Sequence, residues 1–135
     1  MPDLPHEESG PLRAALKKEN IALIPLVGPN TSEERMALYA ADGEGYTYVV
    51  SVMGITGERN GLAPQVAETL RRARTAFNLP LALGFGLREP AQLKDLPADA
   101  QPDAVVFGSA LLKHLDAGHS AASFLAQWTG RKVEE

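Results

Sequence analysis

The stretch LPLALGFGLREP, residues 79–90, is a short apolar run that ends in glycines and then passes into a helical pattern. Residues 103–114, DAVVFGSALLKH, repeat this arrangement. A short run that is apolar throughout is typical of a strand buried on both faces in a parallel sheet. The two strand-to-helix turns therefore predict an α/β fold, and both leave backbone N–H groups without helical partners where a helix begins.

The rest of the chain continues the alternation. The apolar runs at 21–27 and 46–52 predict two earlier strands, and a helical pattern follows each of them. Pro25 is awkward inside the first run because it removes a donor from the strand ladder. Thr31 and Glu34 have the spacing of a capping box and predict the start of a helix. The order is one helix and then four strand–helix units, which indicates parallel pairing.

Length and composition restrict the class of protein. The 135 residues fit one domain, 1–135, with 44% hydrophobic residues to form its core. The net charge of −4 and the lack of a basic cluster argue against a nucleic-acid partner. There is no cysteine and no long apolar segment, so disulfides, thiolate metal sites and membrane helices are not expected. We expect a cytoplasmic protein without a cofactor.

Glycine is common where the predicted strands end. Parallel α/β proteins bind ligands at the carboxyl ends of their strands, and bare amides at a helix start attract anions. The interpretation is a phosphate site held by backbone amides and one hydroxyl, without Lys or Arg; its members are Gly57, Gly86, Gly108 and Ser109. The alternative is that each glycine only forms a turn.

Other candidate residues have simpler explanations. The three histidines lack metal-ligand spacing and are expected to be solvated or capping residues. Tyr46 and Tyr48 share one face of a strand, where they form either core or the wall of a substrate pocket. No catalytic triad, P-loop or complete dinucleotide motif is present, so the residues alone predict neither a catalytic group nor a metal site. Composition leaves a half-barrel and a small open sheet, such as a flavodoxin-like nucleotide-binding domain, both possible.

Four motifs together resemble a known family. PDLPHEES, GYTYVVSVMGITGERNGL, PLALGFGLREPAQ and AVVFGSALLKHL are similar, in order and spacing, to the second half of the tryptophan synthase α chain. The resemblance implies half of a TIM-type (β/α)8 barrel with four parallel strands alternating with helices, from the tip of strand four to the final helix. It also implies a lyase that cleaves indole-3-glycerol phosphate to indole and glyceraldehyde 3-phosphate in tryptophan biosynthesis.

The resemblance assigns roles to particular residues. The four phosphate-site residues match the family's phosphate-binding amides, and Asp3 falls near the family's contact with its pyridoxal-phosphate β chain. The substrate-pocket positions are Leu26, Tyr48, Thr56 and Phe85. The family's two catalytic carboxylates belong to the first half of the barrel, and neither motif is found in this sequence. The resemblance thus implies a phosphate-binding half-barrel with little or no activity alone.

Two sets of alternatives follow. Half of a barrel exposes strand edges and an apolar face. The hypothesis is that the chain pairs either with a second copy, to close a barrel-like or sheet-on-sheet dimer, or with a separate first-half chain. In place of an enzyme, it could be a non-catalytic binding or regulatory module that docks on a synthase β chain.

Overall fold

The computed structural model describes residues 4–51, 64–84 and 86–129. The strands are β1 (Leu26–Val27), β2 (Thr47–Val50), β3 (Leu81–Gly84) and β4 (Ala104–Val106). The helices are α1 (Gly10–Lys18), α2 (Glu33–Asp42), α3 (Pro64–Ala76), α4 (Ala91–Lys94), α5 (Ser109–Asp116) and α6 (Ala121–Thr129). Two short 3₁₀ turns lie at His6–Glu8 and Ala98–Ala100. None of the described helices is long and apolar enough to cross a bilayer.

The four strands form one parallel sheet in the order β1-β2-β3-β4. Each strand therefore lies beside its predecessor, and right-handed crossovers carry the helices to the same face of the sheet. A doubly wound sheet would reverse its strand order at a switch point, and this one does not. The topology is that of consecutive strands in a barrel, which confirms the half-barrel and removes the support for the flavodoxin-like alternative.

Alternate strand residues face the helices and form the core. Register pairs Val27 with Val49 and Val49 with Leu83, and all three side chains are buried. Helix α3 covers them with an apolar stripe at helical spacing, which includes Val66 and Leu70. One core thus lies between the sheet and α3.

The other face of the sheet is less covered. Tyr48 and Val50 alternate with buried neighbours and are partly exposed, and Leu26 lies beside Tyr48 in register. On the last strand, Val106 is 37% exposed. In a closed barrel the corresponding face of the sheet is the interior.

Two local predictions need correction. The strand predicted over 21–27 is shortened to Leu26–Val27, because Pro25 has no N–H for the ladder, although its carbonyl still accepts from Tyr48 N.

The expected capping residue Thr31 is not the N-cap of α2. Ser32 is, and its hydroxyl accepts from Arg35 N, while the Thr31 hydroxyl accepts from Gly28 N in the preceding turn.

Charged side chains join neighbouring units on the outer surface. The Asp103 carboxylate, which precedes β4, accepts from Leu81 N at 2.7 Å and pairs with Arg74 at 2.7 Å. It thereby connects the start of β3 to the last turn of α3. Arg72 donates to the carbonyls of Pro29 and Thr31 in the turn before α2.

Candidate functional site

A cleft of about 810 Å³ lies at the carboxyl ends of β3 and β4. Its position agrees with the rule that parallel α/β proteins bind ligands beyond the carboxyl ends of their strands. The residues that line it are Tyr48, Gly86, Leu87, Arg88, Val106, Phe107, Gly108, Ser109, Ala110 and Lys113. Three of the four residues predicted for the phosphate site are thus together on one cleft.

Gly86 forms the turn that follows β3. Its φ is +83°, in the left-handed region that glycine adopts without a steric penalty. The residue is exposed to the cleft, so its backbone is accessible to a ligand. The positive φ of the turn is enough to explain why glycine is found at position 86. This fits the alternative, raised from the sequence, that each glycine only forms a turn.

Gly108 and Ser109 form the start of α5. Gly108 is the N-cap and has no side chain with which to accept from the amides of the first turn. Its φ of −125° does not require glycine, and a Cβ placed there would meet no atom within 4 Å. Uncapped amides and the positive end of the helix dipole make this point suited to an anion.

Tyr48 lies on the less covered face of the sheet and also lines the cleft. It lies on β2, and its side chain covers Gly84 of β3, where a Cβ would be only 2.9 Å from the tyrosine Cε2. Burial, with a smaller contribution from the Tyr46 charge, raises the pKa of the Tyr48 phenol. The phenol therefore stays neutral at physiological pH and presents an aromatic wall with one hydroxyl.

Leu26 is separate from this cleft. It lies beside Tyr48 in register, but it lines a second, smaller cavity of about 110 Å³ together with His6, Arg13 and Asp42. The four other predicted site residues, Asp3, Thr56, Gly57 and Phe85, lie outside the described residues.

The sequence analysis missed two cationic residues of the cleft, because it predicted a phosphate site without Lys or Arg. Arg88 follows Gly86 by two positions and Lys113 follows Ser109 by four, and both line the cleft. The second spacing is a recognisable signal, because residues four apart share one face of a helix. Arg88 could not be placed in this way, since it lies in an irregular loop.

The cleft lacks acidic groups among the residues that the structure describes: no Asp or Glu lines it. The described part of the chain also has no cluster of three His, Cys, Asp or Glu residues that could hold a metal. The histidines have local partners instead. His114 Nε2 lies 2.8 Å from Ser123 Oγ, and its ring is 4.8 Å from that of His119, across the turn between α5 and α6. Chemically, the described cleft can bind an anion beside an aromatic wall.

Comparisons with known proteins agree with this architecture. The family model of the tryptophan synthase alpha chain matches residues 1–132. The tryptophan synthase alpha chain of Desulfovibrio desulfuricans is 77% identical over 128 residues, which cover 95% of this chain and 50% of that relative. The alpha chain of Nitratidesulfovibrio vulgaris is 59% identical over 131 residues, again covering 50% of the relative. The chain spans about half the length of the curated relatives it matches.

Solved structures give the same result in three dimensions. A chain from the Pyrococcus furiosus tryptophan synthase a2b2 complex superimposes with a TM-score of 0.79 at 30% identity, over 96% of this chain and 54% of that one. Tryptophan synthase subunit alpha from Campylobacter jejuni gives a TM-score of 0.71 at 28% identity, over 86% of this chain and 46% of that one.

The continuous strand order and the cleft at the strand ends define a half of a (β/α)8 barrel. Since the family model covers nearly all of the sequence, the chain belongs to the tryptophan synthase alpha chain family.

Proposed function

We propose that the chain is the phosphate-binding half of a tryptophan synthase alpha barrel. It holds the phosphate of indole-3-glycerol phosphate or glyceraldehyde 3-phosphate through the amides of Gly86, Gly108 and Ser109, with Gly57 as a fourth contributor. The observation that carries this proposal is the convergence of Gly86 and the start of α5 on one cleft, although they belong to different strand–helix units. The family resemblance assigns the aromatic and apolar pocket for the rest of the substrate to Leu26, Tyr48, Thr56 and Phe85. Of these, Tyr48 lines the described cleft and Leu26 lies beside it in register, while Thr56 and Phe85 lie outside the described residues.

Calorimetric titration of the chain with sn-glycerol 3-phosphate, a stable phosphate monoester, tests this proposal. We expect saturable binding with one site per chain, and competition by inorganic phosphate. Glycerol at the same concentrations is the control, because it lacks the charged group. Equal responses to glycerol and glycerol 3-phosphate would refute the phosphate site.

We propose further that the chain alone cleaves indole-3-glycerol phosphate slowly or not at all. Carbon–carbon cleavage of this kind needs a general acid and base within hydrogen-bond reach of the substrate, and no carboxylate lines the described cleft. Binding the phosphate equally in ground and transition states does not lower the chemical barrier. Incubation with indole-3-glycerol phosphate, with detection of indole, measures this directly. Turnover comparable to that of a full-length alpha chain would contradict the proposal.

The uncovered face of the sheet supports a proposal about partners. Strands β1 and β4 are the sheet edges, and the partly exposed residues of the face between them include Tyr48 and Val106. A second copy, or a chain that supplies the first half of a barrel, would cover this apolar face. Light scattering is expected to give a mass above that of one chain, and a monomer at high concentration would argue against self-association.

The second candidate function is a non-catalytic module that docks on a synthase β chain, with Asp3 near the contact. It is favoured by the structural likeness to a chain of the Pyrococcus furiosus a2b2 complex. Co-sedimentation with a tryptophan synthase β chain tests it. Binding to the β chain without binding to glycerol 3-phosphate would favour this module over the phosphate-binding half-barrel. The cytoplasmic location expected from the sequence stays a prediction.

A further inference from the structure

Two positive side chains in the cleft have no counter-charge among the residues that the structure describes. Arg88 is the one arginine of the described residues whose guanidinium has neither a carboxylate nor a carbonyl partner, and Lys113 likewise has no ion pair there. The remaining described arginines all donate to protein oxygens; they are Arg13, Arg35, Arg71, Arg72 and Arg74. The chain has a net charge of −4, yet the described residues that line this cleft include these two cations and no Asp or Glu.

The two cations come from different walls of the cleft. Lys113 lies on α5, one turn after Ser109 and on the same helix face. Arg88 lies on the loop after β3, close to Gly86. A ligand at the amides of Gly86 and Ser109 would therefore have a nearby cation from each of two strand–helix units.

The backbone at Arg88 is held in place by a buried side chain. Gln92 is 3% exposed, and its Oε1 accepts from Arg88 N at 2.7 Å and from Glu89 N at 3.1 Å. This pair of hydrogen bonds fixes the loop and restricts where the guanidinium can reach. Arg88 thus starts from a defined backbone position at the cleft.

We propose that Arg88 and Lys113 are specificity-determining residues that make the cleft select a dianionic phosphate monoester over a monoanion. This inference rests on the proposed phosphate site and adds to it the charge state of the ligand. Backbone amides bind any suitable oxyanion, while two added cations favour the ligand that carries two negative charges. The titratable or charged groups that line the described cleft are Tyr48, whose pKa is raised by burial, and the two cations Arg88 and Lys113.

Calorimetry with six forms of the chain tests the proposal: the unmodified chain, Arg88→Gln, Lys113→Gln, Arg88→Gln/Lys113→Gln, Arg88→Lys and Lys18→Gln. Lys18 is an exposed residue of α1 that does not line the cleft, so it controls for the loss of one charge. Each cleft variant is expected to bind glycerol 3-phosphate about three- to ten-fold more weakly at low salt, with a shallower dependence of affinity on ionic strength. Lys18→Gln is expected to match the unmodified chain, and Arg88→Lys is expected to recover most of the lost affinity.

The pH dependence provides a second readout. The second pKa of a phosphate monoester is about 6, so affinity for glycerol 3-phosphate should fall between pH 7 and pH 5, and less so in Arg88→Gln/Lys113→Gln. Inorganic sulfate keeps both charges over this range and should bind with little change. If glycerol 3-phosphate binds the unmodified chain and both cleft variants equally, the inference is overturned and the phosphate site stands. If it does not bind the unmodified chain, the proposed function fails, and this inference with it.

Discussion

The phenol ring of Tyr48 lies directly over Gly84 of the neighbouring strand. The two residues are diagonal neighbours on the face of the sheet opposite the helices, because Tyr48 pairs in register with Ala82 and Val50 pairs with Gly84. A Cβ on Gly84 would collide with the tyrosine Oη and Cζ atoms. Glycine is therefore needed at this position so that the aromatic wall of the cleft can lie flat on β3.

Gly84→Ala is expected to lower the free energy of unfolding by about 1–3 kcal/mol, since the added methyl group forces the ring to move in a closely packed site. Urea denaturation followed by circular dichroism measures the loss. Tyr48→Leu should remove the clash, so the double variant is expected to be more stable than the sum of the two single effects allows. Strict additivity of the two substitutions would show that the ring does not lie over Gly84.

Gly108→Ala is expected to behave differently from Gly84→Ala. Its Cβ meets no protein atom, so the free energy of unfolding should change by less than about 0.5 kcal/mol. Affinity for glycerol 3-phosphate should nevertheless fall about five-fold or more, because the methyl group would obstruct a ligand at the amides of α5. Gly10→Ala is the matched control, since a Cβ at Gly10 also meets no atom within 4 Å but lies on α1. Unchanged binding in Gly108→Ala would place the phosphate elsewhere.

Asp103 is expected to make stability depend on pH. Its hydrogen bond from Arg74, and then that from Leu81 N, lower the pKa of the Asp103 carboxyl. A carboxyl whose pKa is lower in the folded state stabilises the fold above its unfolded pKa of about 3.9, and this contribution disappears as pH falls through the folded value. Asp103→Ala should therefore cost about 1 kcal/mol at neutral pH, and the difference from the unmodified chain should shrink below about pH 4.

Chemical denaturation at several pH values measures that difference. Asp99→Ala is the comparison, because Asp99 pairs with Arg71 on the surface but accepts no backbone N–H from a strand. It should cost less than Asp103→Ala at neutral pH. A stability difference for Asp103→Ala that stays constant down to pH 2 would contradict the assigned role of the carboxylate.

Thr47→Val is expected to raise the free energy of unfolding by about 1 kcal/mol. The Thr47 hydroxyl is buried in the core side of the sheet without a hydrogen-bond partner among the described residues, and burying such a group is costly. Thr69→Val is the matched control. Thr69 is equally buried, but its hydroxyl donates to Gln65 O at 2.7 Å, so its replacement should give no gain. Equal effects of the two substitutions in thermal or urea denaturation would refute this account of Thr47.

Several features of the site could be predicted from local sequence. Gly86, Gly108 and Ser109 are at strand ends because each follows a recognisable apolar run, and the structure brings them to one cleft. Arg88 was missed because a cation in an irregular loop has no distinctive local pattern, whereas the four-residue spacing of Lys113 from Ser109 on α5 was a signal that could have been used. The correct N-cap of α2 was also missed, since Thr31 and Ser32 are adjacent and both can cap a helix.

The sequence by itself determined the alternation of strands and helices, the parallel direction of the strands and the family. These follow from short-range periodicity and from motifs that are read in order along the chain. Only the tertiary structure decided that the sheet runs β1-β2-β3-β4 without a switch point, and that Tyr48 requires glycine at position 84. The physical reason is that both depend on contacts between residues far apart in the chain, where packing across neighbouring strands selects the arrangement.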